Sequence, residues 1–246
     1  MITDPALAQK VHYFFEWSAL MTGLLIYSVR RRKAGAPGLL APGSFPPLLG
    51  GLLGAAAGNK LAFWFDSSIP WSEVESVWSL ILGGQSVVGG LLGGWLGVEA
   101  GKRVAGITIR TGDDYVLPVL CGLIVGRTGC FLAGLHDGTC GLPTSVRWGV
   151  DFGDGIPRHP TQLYEALLAF LAAITWPRWH RWLTRMPGSA FRVMMVGYLL
   201  WRILVDFLKP ISHAYLLGLS GIQWICIVGL VVIMMGLTRD LRRKAL

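Results

Sequence analysis

Apolar residues run in seven blocks along this chain, at roughly 12–29, 46–65, 80–98, 116–134, 160–177, 191–209 and 219–238, with short polar clusters between them. A block of about twenty apolar residues is the length that crosses a bilayer, so each block predicts a transmembrane helix. A water-soluble fold would have to hide all of them. The pattern therefore predicts an all-α polytopic membrane protein of about seven helices, a single integral domain over residues 1–246 with a long polar loop at about 135–159.

Positive charge alternates between the loops. Arg30, Arg31, Arg32 and Lys33 follow the first block, Lys102, Arg103 and Arg110 the third, Arg178, Arg181 and Arg185 the fifth, and Arg239, Arg242, Arg243 and Lys244 the last. Loops 66–79 and 210–218 hold no Lys or Arg, and only Lys10, Arg147 and Arg158 fall on the opposite side. The positive-inside bias places the amino terminus outside and the carboxyl terminus in the cytoplasm, which makes 135–159 an outer loop. The opening MITDPALAQK has no cationic stretch before its apolar run and no small-residue cleavage site, so the first span is expected to be retained.

Composition agrees. The chain is 53% hydrophobic and 15% charged, against about 25% charged residues in an ordinary soluble domain. The net charge of +8 sits in the loops and does not signal nucleic acid. Cys121, Cys130, Cys140 and Cys226 lack the paired spacing of a zinc site, so no metal is expected; Cys130 and Cys140 read as two thiols in apolar surroundings, with a disulfide as the alternative. Glycine-rich runs at 49–58 and 83–97 read as close helix packing, with Gly50 and Gly54, and Gly89 and Gly93, at small-xxx-small spacing. Gln85 and Ser86, near the outer end of the second run, are candidate headgroup contacts. Most tryptophans lie near span ends, as an aromatic belt requires.

Ionisable groups inside spans cost about 2.5 to 3.5 kcal/mol each at mid-helix, so they normally face a partner or a water-filled cavity. Those that stand out here are Glu16, Lys60, Arg127, Glu165, Arg202 and Asp206. Arg127 and Arg202 are candidates for bidentate phosphate recognition, and Asp206, one turn after Arg202, would orient or neutralise it. His159 enters the fifth span beside Pro160, Thr161, Gln162, Tyr164 and Glu165. It is either a general base or a histidine that structures the loop through Glu165 or the backbone. His136 and Asp137 are second candidates, and Arg147 and Arg158 are headgroup contacts or interfacial anchors.

These segments resemble the bacterial prolipoprotein diacylglyceryl transferase family over nearly the whole chain. GRTGCFLAG at 126–134 is similar to a signature beginning Gly-Arg-x-Gly, and RHPTQLYEALL at 158–168 to an Arg-His-Pro-Ser/Thr-Gln-Leu-Tyr-Glu segment. GGQSVVGGLLG at 83–93, WRILVDFLKP at 201–210 and LSGIQW at 219–224 extend the match. The resemblance implies a seven-helix fold opening to the outer leaflet of the inner membrane. It implies phosphatidylglycerol as donor, the thiol of a prolipoprotein lipobox cysteine as acceptor, glycerol phosphate as byproduct and no cofactor. It also implies essential roles for Arg127 and Arg202 and places His159, Gln162, Tyr164 and Glu165 in the outer segment.

Three positions depart from the pattern. Val88 stands for a histidine, Cys130 for an asparagine and Leu135 for a glutamate, and loop 136–142 is longer than usual. The alternatives are a divergent paralogue using another acceptor, or a phospholipid-binding or transport protein without the chemistry.

Overall fold

A computed structural model describes residues 2, 4–67, 84–183 and 186–245. Among these are seven α-helices: α1 Pro5–Lys33, α2 Phe45–Ser67, α3 Val87–Val104, α4 Val116–Ala133, α5 Thr161–Leu183, α6 Ser189–Asp206 and α7 Gly221–Ala245. One short antiparallel hairpin, β1 Val150–Asp151 with β2 Pro157–Arg158, lies in the polar loop. Among the described residues, three segments are long and apolar enough to cross a membrane, Phe45–Ser67, Gly112–Asp137 and Gly221–Thr238.

The helix starts are written in local chemistry. Asp4 caps α1, its Oδ1 accepting from the Ala6 amide at 3.0 Å, and Pro5 fills the first turn where no amide partner is needed. Ser220 and Gln223 form a reciprocal capping box on α7. The Gln223 amide donates to Ser220 Oγ at 3.1 Å and the Ser220 amide to Gln223 Oε1 at 2.9 Å.

Several helices end away from the bounds of the expected spans: α1 already opens at Pro5, α5 runs on to Leu183 and α7 to Ala245, and two further span boundaries have a local cause. The third does not run on from residue 80: α3 starts at Val87, capped by Ser86 Oγ, which accepts from the Gly89 amide at 3.2 Å. Gln85 thus precedes the helix and is exposed. Residues 80–83, like most of loop 66–79, lie outside the described residues. The sixth stops at Asp206 instead of reaching 209, because Pro210 disfavours helical backbone at Lys209.

Burial on α5 is the reverse of a soluble helix. Gln162 is 0% exposed and Glu165 3%, whereas Leu167 is 56% exposed and Phe170 49%. Polar groups inward and apolar groups outward is the arrangement a lipid surround favours.

The chain divides into two compact units. One comprises Met1–Ala36, Arg110–Met194 and Phe207–Pro210, and the other Pro37–Ile109, Met195–Asp206 and Ile211–Leu246. In the first, α1 lies against α4 at small residues: a Cβ on Gly129 would come within 2.2 Å of the Phe15 Cβ, and one on Gly122 within 3.2 Å of the Ala19 carbonyl oxygen. The Phe207–Pro210 segment joins this unit, where the Leu142 amide donates to the Leu208 carbonyl at 2.7 Å.

In the second unit α2 and α3 pack antiparallel on a glycine seam. A Cβ on Gly50, Gly54 or Gly58 would sit 2.2–2.3 Å from the carbonyl oxygens of Gly97, Gly93 and Gly89 in turn. At this distance the backbones are in direct contact, and no side chain larger than hydrogen fits. Gly54→Ala should therefore destabilise the protein by about 1–3 kcal/mol, the range for overpacking a tight site. Gly38→Ala, with nothing within 4 Å, should leave stability unchanged. Thermal unfolding in detergent distinguishes them, and equal melting of the two variants would contradict the seam.

Candidate active site

In the first unit the centre is a carboxylate held by two cations. Arg127, on α4 and buried, places Nη2 2.6 Å from Glu165 Oε2. Lys209, also buried, places Nζ 2.9 Å from Glu165 Oε1. Burying either cation alone would be costly, and the shared carboxylate offsets that cost. The Glu165 side chain points inward because α5 begins at Thr161, which puts Gln162, Glu165, Ala166 and Ala169 on one buried stripe.

The start of α5 is tied to the preceding loop. Thr161 Oγ1 donates to the Thr139 carbonyl at 2.8 Å, and Gln162 Nε2 donates to Cys140 Sγ at 3.4 Å. Cys140 and Cys130 are free thiols. Burial pushes the Cys140 thiol above its ordinary range, and the hydrogen bond from Gln162 opposes this only in part.

His159 Nδ1 lies 3.2 Å from the Tyr164 hydroxyl, which accepts from Trp148 Nε1 at 2.8 Å, and the His159 amide donates to the Leu142 carbonyl at 3.1 Å. Arg158 is engaged within its own loop, donating to Asp154 Oδ1 at 2.7 Å and to the Ile156 carbonyl at 3.2 Å. That hydrogen bond holds the Asp154 carboxyl below its usual range. His136 is exposed, whereas the Asp137 side chain is buried, with Thr139 Oγ1 hydrogen-bonded to Oδ2 and His12 Nδ1 2.7 Å from Oδ1.

In the second unit Arg202 and Asp206 pair as their spacing suggests, Nη2 to Oδ1 at 2.9 Å, and Ser220 Oγ donates to Asp206 Oδ2. Gln223 Nε2 donates to the Ile203 carbonyl at 3.1 Å, fixing the start of α7 against α6. Ser86 has a structural task as well as its cap, its amide donating to Asn59 Oδ1 at 2.6 Å. Lys60 Nζ donates to the Gly84 carbonyl at 2.8 Å.

Two site residues were not singled out from the sequence. Lys209 lies just past a helix end inside an apolar block, and the cost of a cation there was the available signal. His12 sits in the amphipathic opening of α1, and nothing local in the sequence links it to Asp137.

The site defined by these groups is a guanidinium, an ammonium and a carboxylate, all buried within the first unit. The model of the family described as prolipoprotein diacylglyceryl transferase matches residues 14–239. The chain belongs to that family. It is 34% identical over 189 residues to the phosphatidylglycerol–prolipoprotein diacylglyceryl transferase of Bordetella parapertussis, covering 73% of this chain and 68% of the relative. It is 32% identical over 224 residues to the Nitratidesulfovibrio vulgaris enzyme of the same name, covering 84% and 80%. It is 33% identical over 231 residues to that of Geobacter sulfurreducens, covering 84% and 82%.

The raised Cys140 thiol gives a direct check. With thiolate scarce at neutral pH, alkylation of Cys140 by a small maleimide should be slow at pH 7 and should climb only in a more alkaline range than for a free thiol. Labelling of the folded protein at the rate of an unstructured peptide thiol at pH 7 would contradict the environment described.

Proposed function

We propose that this protein transfers the diacylglyceryl group of phosphatidylglycerol to the lipobox cysteine thiol of prolipoproteins. The reaction takes place at the outer face of a bacterial inner membrane. The protein would span that membrane seven times, with its amino terminus outside and its carboxyl terminus in the cytoplasm. Family membership supports the reaction class, and the names of the relatives supply donor and acceptor.

The observation that carries the reading is Arg127, a buried guanidinium whose fork is fixed by a carboxylate that Lys209 also holds. A phosphodiester is an oxyanion of the same kind as the Glu165 carboxylate. It can take guanidinium hydrogen bonds in the low-dielectric surround where they are strongest. Arg127 would hold the donor phosphate and stabilise the charge that grows on it as glycerol phosphate departs. Glu165 and Lys209 would keep the fork in place. Arg202, held by Asp206 in the other unit, is assigned the same kind of work on the chemistry of its own surroundings. Gln162, Tyr164 and His159 order the entrance to α5, and His136, Arg158, Gln85 and Ser86 are headgroup contacts at most. The donor reaches the protein sideways from the bilayer, since its acyl chains leave lipid only at a cost of about 0.8 kcal/mol per CH₂.

The test is mass spectrometry of a lipobox peptide incubated with the purified protein and phosphatidylglycerol. A diacylglyceryl mass gain is expected, falling at least about a hundredfold in Arg127→Ala, the scale for removing a charge-stabilising donor. No gain, under conditions in which a relative's enzyme works, would overturn the reading and point to another acceptor or a non-catalytic phospholipid binder.

A further inference from the structure

The first unit holds a second cluster of ionisable groups beside Arg127. His12, from the first turns of α1, has Nδ1 2.7 Å from Asp137 Oδ1, and the Asp137 side chain is 2% exposed. Asp137 is fixed from its other oxygen by Thr139 Oγ1. A thiol sits in the same place: the Cys130 sulfur, a His12 ring nitrogen and an Asp137 carboxylate oxygen all lie within 4.8 Å of one another. The His12 side chain is 25% exposed, so something outside can reach it.

Local packing explains why His12 is there. The close contact of Phe15 with Gly129 brings α1 onto α4, and His12, one turn earlier on α1, therefore falls beside Cys130, the residue after that glycine. The 3-10 turn Gly134–Asp137, entered through Gly134 at φ +67°, folds Asp137 back under the ring.

His, Cys and Asp also form the donor set of a metal site, but Arg127 Nη1 stands 4.0 Å from the Cys130 sulfur. A fixed positive charge at that distance opposes a cation. Among the described residues, the titratable groups at the ring are Asp137 from the turn and Cys130 from α4, with Arg127 beside Cys130. A histidine whose Nδ1–H is held by a buried carboxylate presents Nε2 as a base of fixed orientation, as in nucleophile–histidine–carboxylate sites.

We infer that His12, oriented by Asp137, is the general base that deprotonates the acceptor thiol. The inference rests on the transferase reading. In the step, His12 Nε2 takes the thiol proton and the sulfur attacks the glyceryl carbon that bears the phosphate. A C–S bond forms, the C–O bond breaks, and the electron pair leaves on glycerol phosphate, to which His12 returns the proton. His12 acts on the acceptor and Asp137 is a positioning residue.

Two measurements on the full-length protein test this. With phosphatidylglycerol and a lipobox peptide, His12→Gln should lower turnover by about 10²–10⁴-fold at pH 7 with the KM for lipid unchanged, the scale of a lost general base. The loss should shrink as pH rises and bulk hydroxide forms the thiolate. Asp137→Asn should lower turnover less and shift the same pH profile, whereas His159→Gln should lower it without moving the profile. Independently of turnover, with Cys121, Cys140 and Cys226 replaced by alanine, iodoacetamide alkylation of Cys130 at pH 7 should slow about tenfold in His12→Gln. Wild-type turnover and wild-type alkylation in His12→Gln would overturn the inference. If the unmutated protein transfers nothing to the peptide, the transferase reading fails, and the alkylation rates alone decide whether the pair acts on a thiol.

Discussion

The first unit is organised around one carboxylate. Glu165 holds a guanidinium from α4 and an ammonium from the segment after α6, all three side chains nearly inaccessible. Charges in such a place are tolerated only with partners and good geometry, so the site fixes how its elements meet. α5 must start at Thr161 to aim Glu165 inward, and α6 must end by Asp206 for Lys209 to turn back. The hydrogen bond from the Leu142 amide to the Leu208 carbonyl then locks the returning segment to the polar loop.

Packing elsewhere serves the same economy. Where apolar side chains face outward, burial of apolar area does little to hold helices together, and small residues take over that role. α2 and α3 meet through alternating glycines with backbones in contact, and α1 meets α4 through Gly122 and Gly129. The second of these contacts brings a histidine to a cysteine.

Much of this was legible in the sequence. Helices α2 and α4 fall close to the expected spans because apolar length governs them, whereas α5 and α7 run on past theirs to Leu183 and Ala245, and the glycine spacing announced its seam. Arg127, Glu165, Arg202 and Asp206 stood out because ionisable residues in apolar blocks are expensive, and the pairing of Arg202 with Asp206 follows from one helical turn. The rest depends on contacts between distant segments. Glu165 pairs with Arg127 and Lys209, from segments distant along the chain, while His159 meets Tyr164 and its backbone ties the loop at Leu142 and Gly141. The start of α3 was placed early because Gly84, Gln85 and Ser86 continue an apolar-looking run, while the serine cap sets the boundary. His12 and Asp137 come from different stretches of the unit, and only the fold brings them together.

The central claim is that the buried Arg127 site recognises the phosphate of an anionic phospholipid. Native mass spectrometry of the protein released from mixed vesicles of phosphatidylglycerol and phosphatidylcholine tests it most directly, comparing the unmutated chain with Arg127→Gln. The account expects phosphatidylglycerol to be retained preferentially by the unmutated protein and that preference to be lost in the variant. Equal retention of phosphatidylglycerol by both would contradict it.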